Sequence, residues 1–178
     1  DTALSDYPEA DKTRFFASGR LPFMLTANVT IDGNTEQIHI VDIHARANSG
    51  SGAQSRYDMR KYDVEVLKDS LDAQYADANL IVLGDYNDDV DVTVADDVAS
   101  TVSTFDAFVQ DTSNYNILTS ILSAGDYRSY VLRENMIDHM QDSSEEILKK
   151  SGVIIIHRHK KEIDTMPMGF KVIEEKKY

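Results

Sequence analysis

Residues 80–89 read Leu-Ile-Val-Leu-Gly-Asp-Tyr-Asn-Asp-Asp. An apolar run stops at a glycine and turns at once into acid. What precedes it narrows the fold most. Gln37–His44 alternates, with Ile38, Ile40 and Asp42 on one face and His39, Val41 and Ile43 on the other, as a strand does. A Gly/Ser loop over Asn48–Gln54 follows, and then Val64, Leu67, Leu71 and Tyr75 fall at helical spacing. The spacing predicts a helix over Ser55–Ala76, with Ser55 and Asp58 resembling a capping box. Asn79–Gly84 is then a short apolar strand. Strand, long helix, strand is the order of an α/β crossover.

The rest of the chain adds antiparallel pieces. Pro22–Ile31 reads as a strand, and the turn signal Asp32-Gly33-Asn34 joins it to Gln37–His44 as a hairpin. Residues 1–18 read as a polar surface lead-in. Asp85–Ser103 is an acidic loop, and Phe105–Val109 and Ile117–Leu122 are expected as short helical pieces. Tyr127–Leu132 and Met136–Met140 read as strands, Ser143–Lys150 as a capped helix and Gly152–His159 as a last strand. The fold class is α/β (α+β), one domain over 1–178, with a mixed or antiparallel sheet and helices on one face.

Charge and composition bound the function. The 178 residues carry a net charge of −13, and 42% are hydrophobic, enough for a core. Between Asp69 and Tyr127 there are twelve aspartates and no lysine or arginine, whereas Lys149–Tyr178 holds eight basic residues against four acidic ones. Such a chain does not bind nucleic acid through its overall field, and a phosphate substrate would need a metal ion or a local basic group. There is no cysteine, so disulfides and thiolate metal sites are excluded. No transmembrane segment is expected, because apolar stretches such as Val153–Ile156 are far too short to span a bilayer. The chain starts at Asp1, as a processed chain or a fragment would.

The acidic strand end admits three readings. If the strand ran on to residue 87, Asp85 and Asn87 would share a face, the aspartate suited to a hard cation and the carboxamide to a phosphate oxygen. Gly84 would let the backbone approach something closely. Asp88 and Asp89 would raise the negative potential and favour a divalent ion. Alternatively, Asp85, Asn87, Asp89, Asp91 and Asp96 stand near the ligand positions of a calcium loop, although Val90 replaces its central glycine. The third reading is a solvated turn, where Asp and Asn are common.

Three segments taken in order bear a likeness. Val-Asp-Ile-His-Ala-Arg-Ala (41–47) before the helix, Leu-Ile-Val-Leu-Gly-Asp-Tyr-Asn-Asp (80–88), and Asn-Met-Ile-Asp-His-Met (135–140) resemble the endonuclease/exonuclease/phosphatase superfamily, the DNase I-like metal-dependent phosphoesterases. "SGRLPFML" (18–25) and "FVQDTSNYNILTSIL" (108–122) are similar to its secreted or periplasmic bacterial branch. The resemblance runs from about Phe16 to His159. It implies that His44 contacts the scissile phosphate or protonates the leaving group. It implies that Asp85 holds a metal or orients the nucleophile, that Asn87 binds phosphate, and that Asp138 orients a general-base histidine. Arg20 and Arg46 would be phosphate-side groups. The implied cofactor is Mg2+, or another divalent cation such as Mn2+ or Ca2+. The implied substrate is a phosphate ester of a nucleic acid, a lipid head group or a small molecule.

The departures are as informative. The family's first-half Gln-Glu motif, whose glutamate holds the metal, and its terminal Ser-Asp-His do not occur here. His157 and His159 form only an isolated His-x-His pair, with no partner cluster for zinc. The chain therefore reads as the C-terminal half of a four-layer α/β sandwich. Its bare apolar sheet face would call for self-association or a complementary half-domain. A non-catalytic module that keeps the fold, and a calcium-binding surface domain, are the alternatives to hydrolysis.

Overall fold

The computed structural model describes residues 4–31, 33–125, 127–130 and 135–143. After a 3-10 turn at Lys12–Arg14 and the single turn α1 (Phe15–Gly19), the chain forms β1 (Phe23–Ile31), β2 (Asn34–His44), α2 (Ala53–Tyr75) and β3 (Asn79–Asp85). Then come α3 (Asp106–Gln110), β4 (Asn116–Ile117), α4 (Ser120–Ser123) and β5 (Asp138–Asp142). The strands make one five-stranded sheet, in the order β1-β2-β3-β5-β4. β1 and β2 are the expected hairpin, β2 and β3 are parallel across the α2 crossover, and β5 runs antiparallel to both β3 and β4. The class is thus α/β with a mixed sheet. Among the described residues, no helix is long and apolar enough to cross a membrane.

One face of the sheet is packed. Val41, Ile43, Leu80 and Val82 point to it and bury against Val64, Leu67 and Leu71 of α2 and against Phe105, Phe108 and Tyr115. Each buried aliphatic side chain contributes about 1.5–3 kcal/mol, so this layer is what holds α2 to the sheet. The opposite face is set by the register: Phe23 opposite Asp42, Leu25 opposite Ile40, Ile40 beside Ile81, and Leu83 opposite Met140. Phe23 and Leu25 on it are 66% and 49% exposed.

Several expectations change. α2 starts at Ala53, with left-handed Gly52 (φ 79°) as its N-cap and no side-chain cap, so Ser55 lies inside the helix and no capping box forms. Ile117 is in β4, because Asn116 and Ile117 pair with Asp142 and Gln141. Tyr130 makes only an isolated bridge to Asn135, and β5 begins two residues after Met136. The lead-in is not a loose surface segment, since Tyr7, Phe16 and Ala17 are buried. Residues 144–150 of the expected capped helix, the strand Gly152–His159 and the pair His157/His159 lie outside the described residues.

Candidate active site

The register that builds the sheet also builds the candidate site. His44 ends β2 beside Asp85, and Asp85 ends β3 opposite Asp138, the first residue of β5. Three chemistry-bearing residues therefore stand in one cross-strand row, on the helix-free face. Directly paired residues bring their Cβ atoms to within about 4.5–5.5 Å. His44 Nε2 lies 3.6 Å from Asp85 Oδ2, with the two side chains 54% and 32% exposed.

Asp85 is the pivot. Partial burial holds its carboxyl above the usual aspartate range. The amide of Asn87 pulls it back, Asp138 pushes it further up, and His44 and Arg20 act to lower it. Arg20 is exposed, but its charge reaches Asp85, so two of the expected partners and one expected phosphate-side cation act on the same carboxylate.

Asn87 arrives by a different route from simple alternation. The strand ends at Asp85, and Asn87 adopts φ 51°, the left-handed region Asn tolerates better than most residues. Its N–H donates to Asp85 Oδ1 (2.9 Å), its side-chain amide donates to Ala45 O (3.0 Å), and its carbonyl accepts from Asn48 Nδ2 (2.7 Å). The turn is thus tied to the start and the middle of the β2–α2 loop. Gly84 serves the sheet and not a ligand. At φ 131°, a Cβ there would sit 2.1 Å from the carbonyl oxygen of Ile43, so the close approach is between β2 and β3.

The neighbouring acids are committed elsewhere. Asp88 is fully buried, 3.2 Å from Arg60 Nη2, and accepts from Thr93 Oγ1, from Val94 N (2.8 Å), and from both the N–H (2.9 Å) and the hydroxyl (2.7 Å) of Thr104. Its charge is neutralised inside the protein and adds little field at the site. Asp89 accepts from Val90 N and Ser123 Oγ and lies 3.8 Å from His139. Among the described residues, no three His, Asp or Glu side chains gather as a metal-holding group. The five positions of the calcium-loop reading do not converge, because Asp89 is turned toward His139 in the core.

His139 and Arg46 are also structural. Met136 O can only accept, so His139 Nε2–H donates to it (3.1 Å) and Nδ1 accepts from the Thr119 hydroxyl (2.9 Å). Burial lowers its pKa and keeps this neutral tautomer. Arg46, expected on the phosphate side, is buried instead, donating to the carbonyl of Arg14 and lying near Tyr7 and Asp63. His39 meets the Thr26 hydroxyl (2.9 Å) and the ring of Tyr75 (5.0 Å) on the packed face.

Buried Arg60 and Asp63 escape a reading of the sequence. Arg60 falls at intervals of three or four with Tyr57, Val64, Leu67 and Leu71 along α2, and Asp63, next to Val64, widens the same buried stripe. Two charged residues on an apolar stripe are the available signal. The donor set at the row fits a hard cation at its edge: paired carboxylates Asp85 and Asp138 match the one or two that Mg2+ takes, the rest of its shell being water and substrate oxygens.

No protein-family model matches the chain, and no curated protein matches it. Among solved structures, the human Nocturnin catalytic domain with bound sulfate anion is similar, with 18% identity and a TM-score of 0.41. The match covers 69% of this chain and 41% of that domain, so the chain spans well under half of it.

Proposed function

We propose that the chain carries the site of a metal-dependent phosphoesterase that hydrolyses a phosphodiester or phosphomonoester. The reading rests on one observation: His44, Asp85 and Asp138 stand in a single row at one end of the sheet. A divalent cation held by Asp85, with Asp138 alongside, would stabilise the charge that develops on the phosphate oxygens. Asn87, pinned by Asp85 and Ala45, offers its second amide hydrogen to a phosphate oxygen. His44, half exposed, is free to donate to the leaving-group oxygen as water attacks phosphorus from the opposite side. Arg20 supplies positive charge next to the carboxylate pair. The acidic chain favours a compact phosphate ester over a long polyanion.

The test is hydrolysis of bis(4-nitrophenyl) phosphate with Mg2+ and with chelator, on the chain alone and with any natural flanking sequence restored. Chelator-sensitive turnover is expected, and Asp85→Ala should lower it by about 100-fold or more. Turnover indifferent to chelator, or an Asp85→Ala variant equal to its parent, would sink the reading.

The exposed side chains of Leu21, Phe23 and Leu25 favour a second reading, a non-catalytic module whose helix-free face is covered by a second copy or a complementary half-domain. A strictly monomeric chain by light scattering argues against it.

A further inference from the structure

The direction of the Asp85 carboxylate is set by its neighbour two residues on. Oδ1 accepts from the Asn87 N–H (2.9 Å), and Oδ2 lies 3.6 Å from His44 Nε2. The first of these contacts exists only while Asn87 stays left-handed, at φ 51°. A non-glycine residue keeps that conformation where its surroundings hold it. Backbone bonds fix the residues before it: Ala45 N–H donates to Asp85 O (2.9 Å) and Tyr86 N–H donates to Ile137 O (2.8 Å). The carbonyl of Asn87 itself is held by a side chain, since Asn48 Nδ2 donates to it (2.7 Å). Which end of the Asn48 amide faces Asn87 is decided inside the protein. Arg60 is fully buried and its guanidinium can only donate, so Asn48 Oδ1 must accept from Arg60 Nη1 (2.7 Å) and the amide nitrogen is left for Asn87. Arg60 is in turn placed by Nε on Thr104 Oγ1 (2.9 Å) and by Nη1 on Arg46 O (2.8 Å). The donors thus all point one way, from α2 to the strand end: Arg60 to Asn48, Asn48 to Asn87, Asn87 to Asp85.

We propose that Asn48 is a positioning residue for the Asp85 carboxylate: it takes its orientation from buried Arg60 and holds the left-handed turn at Asn87, so that both Asp85 oxygens keep fixed directions at the end of the sheet. The inference rests on the phosphoesterase reading of that end and deepens it. It makes the β2–α2 loop, by sequence a mere Gly/Ser connection, part of the support of a cation site. Asn48 touches neither metal nor substrate and acts only through Asn87.

Two variants test this. Asn48→Ala removes both arms of the amide. Asn48→Asp keeps the acceptor for Arg60 but turns a second oxygen, and no donor, toward Asn87 O. Mg2+ is titrated by calorimetry into the parent and both variants, and amide hydrogen exchange is followed at Asn87. Both variants should bind Mg2+ about three- to tenfold more weakly, the worth of one ordinary hydrogen bond. Both should exchange the Asn87 amide about tenfold faster relative to the ladder amides of β3, which report general loosening. Asn48→Asp separates position from charge, because an added carboxylate by itself would attract the cation and tighten binding. It also keeps Arg60 paired, and so decides the matter if Asn48→Ala does not fold. Unchanged or tighter Mg2+ binding in Asn48→Asp overturns the proposal, and so does an Asn87 amide that exchanges as in the parent. Hydrolysis of bis(4-nitrophenyl) phosphate, run in parallel, separates the two ideas. With turnover present, the Mg2+ requirement of Asn48→Ala should rise by the factor its affinity falls, with kcat at saturating Mg2+ near the parent's. A lower kcat with an unchanged Mg2+ requirement overturns the positioning role. A parent that neither binds Mg2+ nor shows chelator-sensitive turnover refutes the phosphoesterase reading alone, and the Asn87 exchange rate then decides whether Asn48 holds the turn.

Discussion

Arg60 and Asp63 lie one turn apart on the buried stripe of α2, and their charges are treated in opposite ways. Arg60 Nη2 lies 3.2 Å from Asp88 Oδ2 without closing a hydrogen bond of ordinary geometry, while Nε donates to Thr104 Oγ1 (2.9 Å) and Nη1 donates to Arg46 O (2.8 Å) and Asn48 Oδ1 (2.7 Å). Asp88 accepts from two threonine hydroxyls and two backbone amides. Asp63 has no such circle. Neither of its oxygens, nor Tyr7 Oη, nor Arg46 Nε closes a hydrogen bond of ordinary geometry. A buried charge is tolerated at low cost where every donor and lone pair is met, and it costs stability where they are not. The better-paired network ties the loop after Asp85 to α2, whereas the poorly paired one lies under the lead-in, where Arg46 donates to Arg14 O.

The largest effect should come from breaking the better-paired network. Asp88→Ala leaves Arg60 buried and uncompensated, and should lower unfolding free energy by about 3–5 kcal/mol in urea. Replacing both partners, as in Arg60→Met with Asp88→Leu, should recover much of that, because nothing charged is then stranded. A single Asp88→Ala variant as stable as its parent would show that the pair is not closed in solution.

The incomplete network should reveal itself through pH. Burial raises the Asp63 carboxyl from 3.8 to about 6, even with Arg46 beside it. A raised carboxyl favours the protonated form in the folded state. Its contribution is therefore fully present below pH 3.8 and lost as pH climbs through about 6. A tenfold change in proton affinity is worth about 1.36 kcal/mol, so the loss is about 3 kcal/mol. Asp63→Asn should remove that slope and leave the variant more stable than its parent above this window. The measurement is the difference in urea midpoint between the two proteins across the window. A difference that stays flat with pH would place Asp63 in a better-paired setting than the one seen here.

These two networks also mark where sequence reasoning stops. The alternation of Gln37–His44, the helical period of Val64, Leu67 and Leu71 and the apolar run 79–84 are enough for hairpin, crossover and sheet, because each rests on burial with a regular period. The row His44–Asp85–Asp138 is legible residue by residue only through resemblance. What sets it side by side is inter-strand register, which no local pattern carries. Strand alternation puts Asn87 next to Asp85 for the wrong reason, since a left-handed turn brings it there. Asp88 and Arg46 read from sequence as facing solvent or phosphate because charged residues usually do. Their burial depends on Arg60 and Asp63, contacts made across 28 and 17 positions of the chain.

The smallest effect is the sharpest probe of the contrast. Tyr7 is 4% exposed, its ring packs edge-on against Phe15 (5.7 Å) and Tyr62 (5.4 Å), and burial and nearby Asp63 push its hydroxyl up to about 12. The ring is needed for packing, whereas the hydroxyl lacks a well-aligned partner. Tyr7→Phe removes only that oxygen. An unpaired buried hydroxyl contributes nothing and costs desolvation, so the variant should match or exceed the parent by up to about 1 kcal/mol. An Arg46–Tyr7 hydrogen bond formed in solution would reverse the sign, because Tyr7→Phe would then strand the guanidinium nitrogen and cost about 1–3 kcal/mol. Urea unfolding of the single variant reads that sign directly. A loss would move the Asp63 cluster toward the better-paired case, and a gain would show that the cluster one turn of α2 away from Arg60 is the poorly paired one.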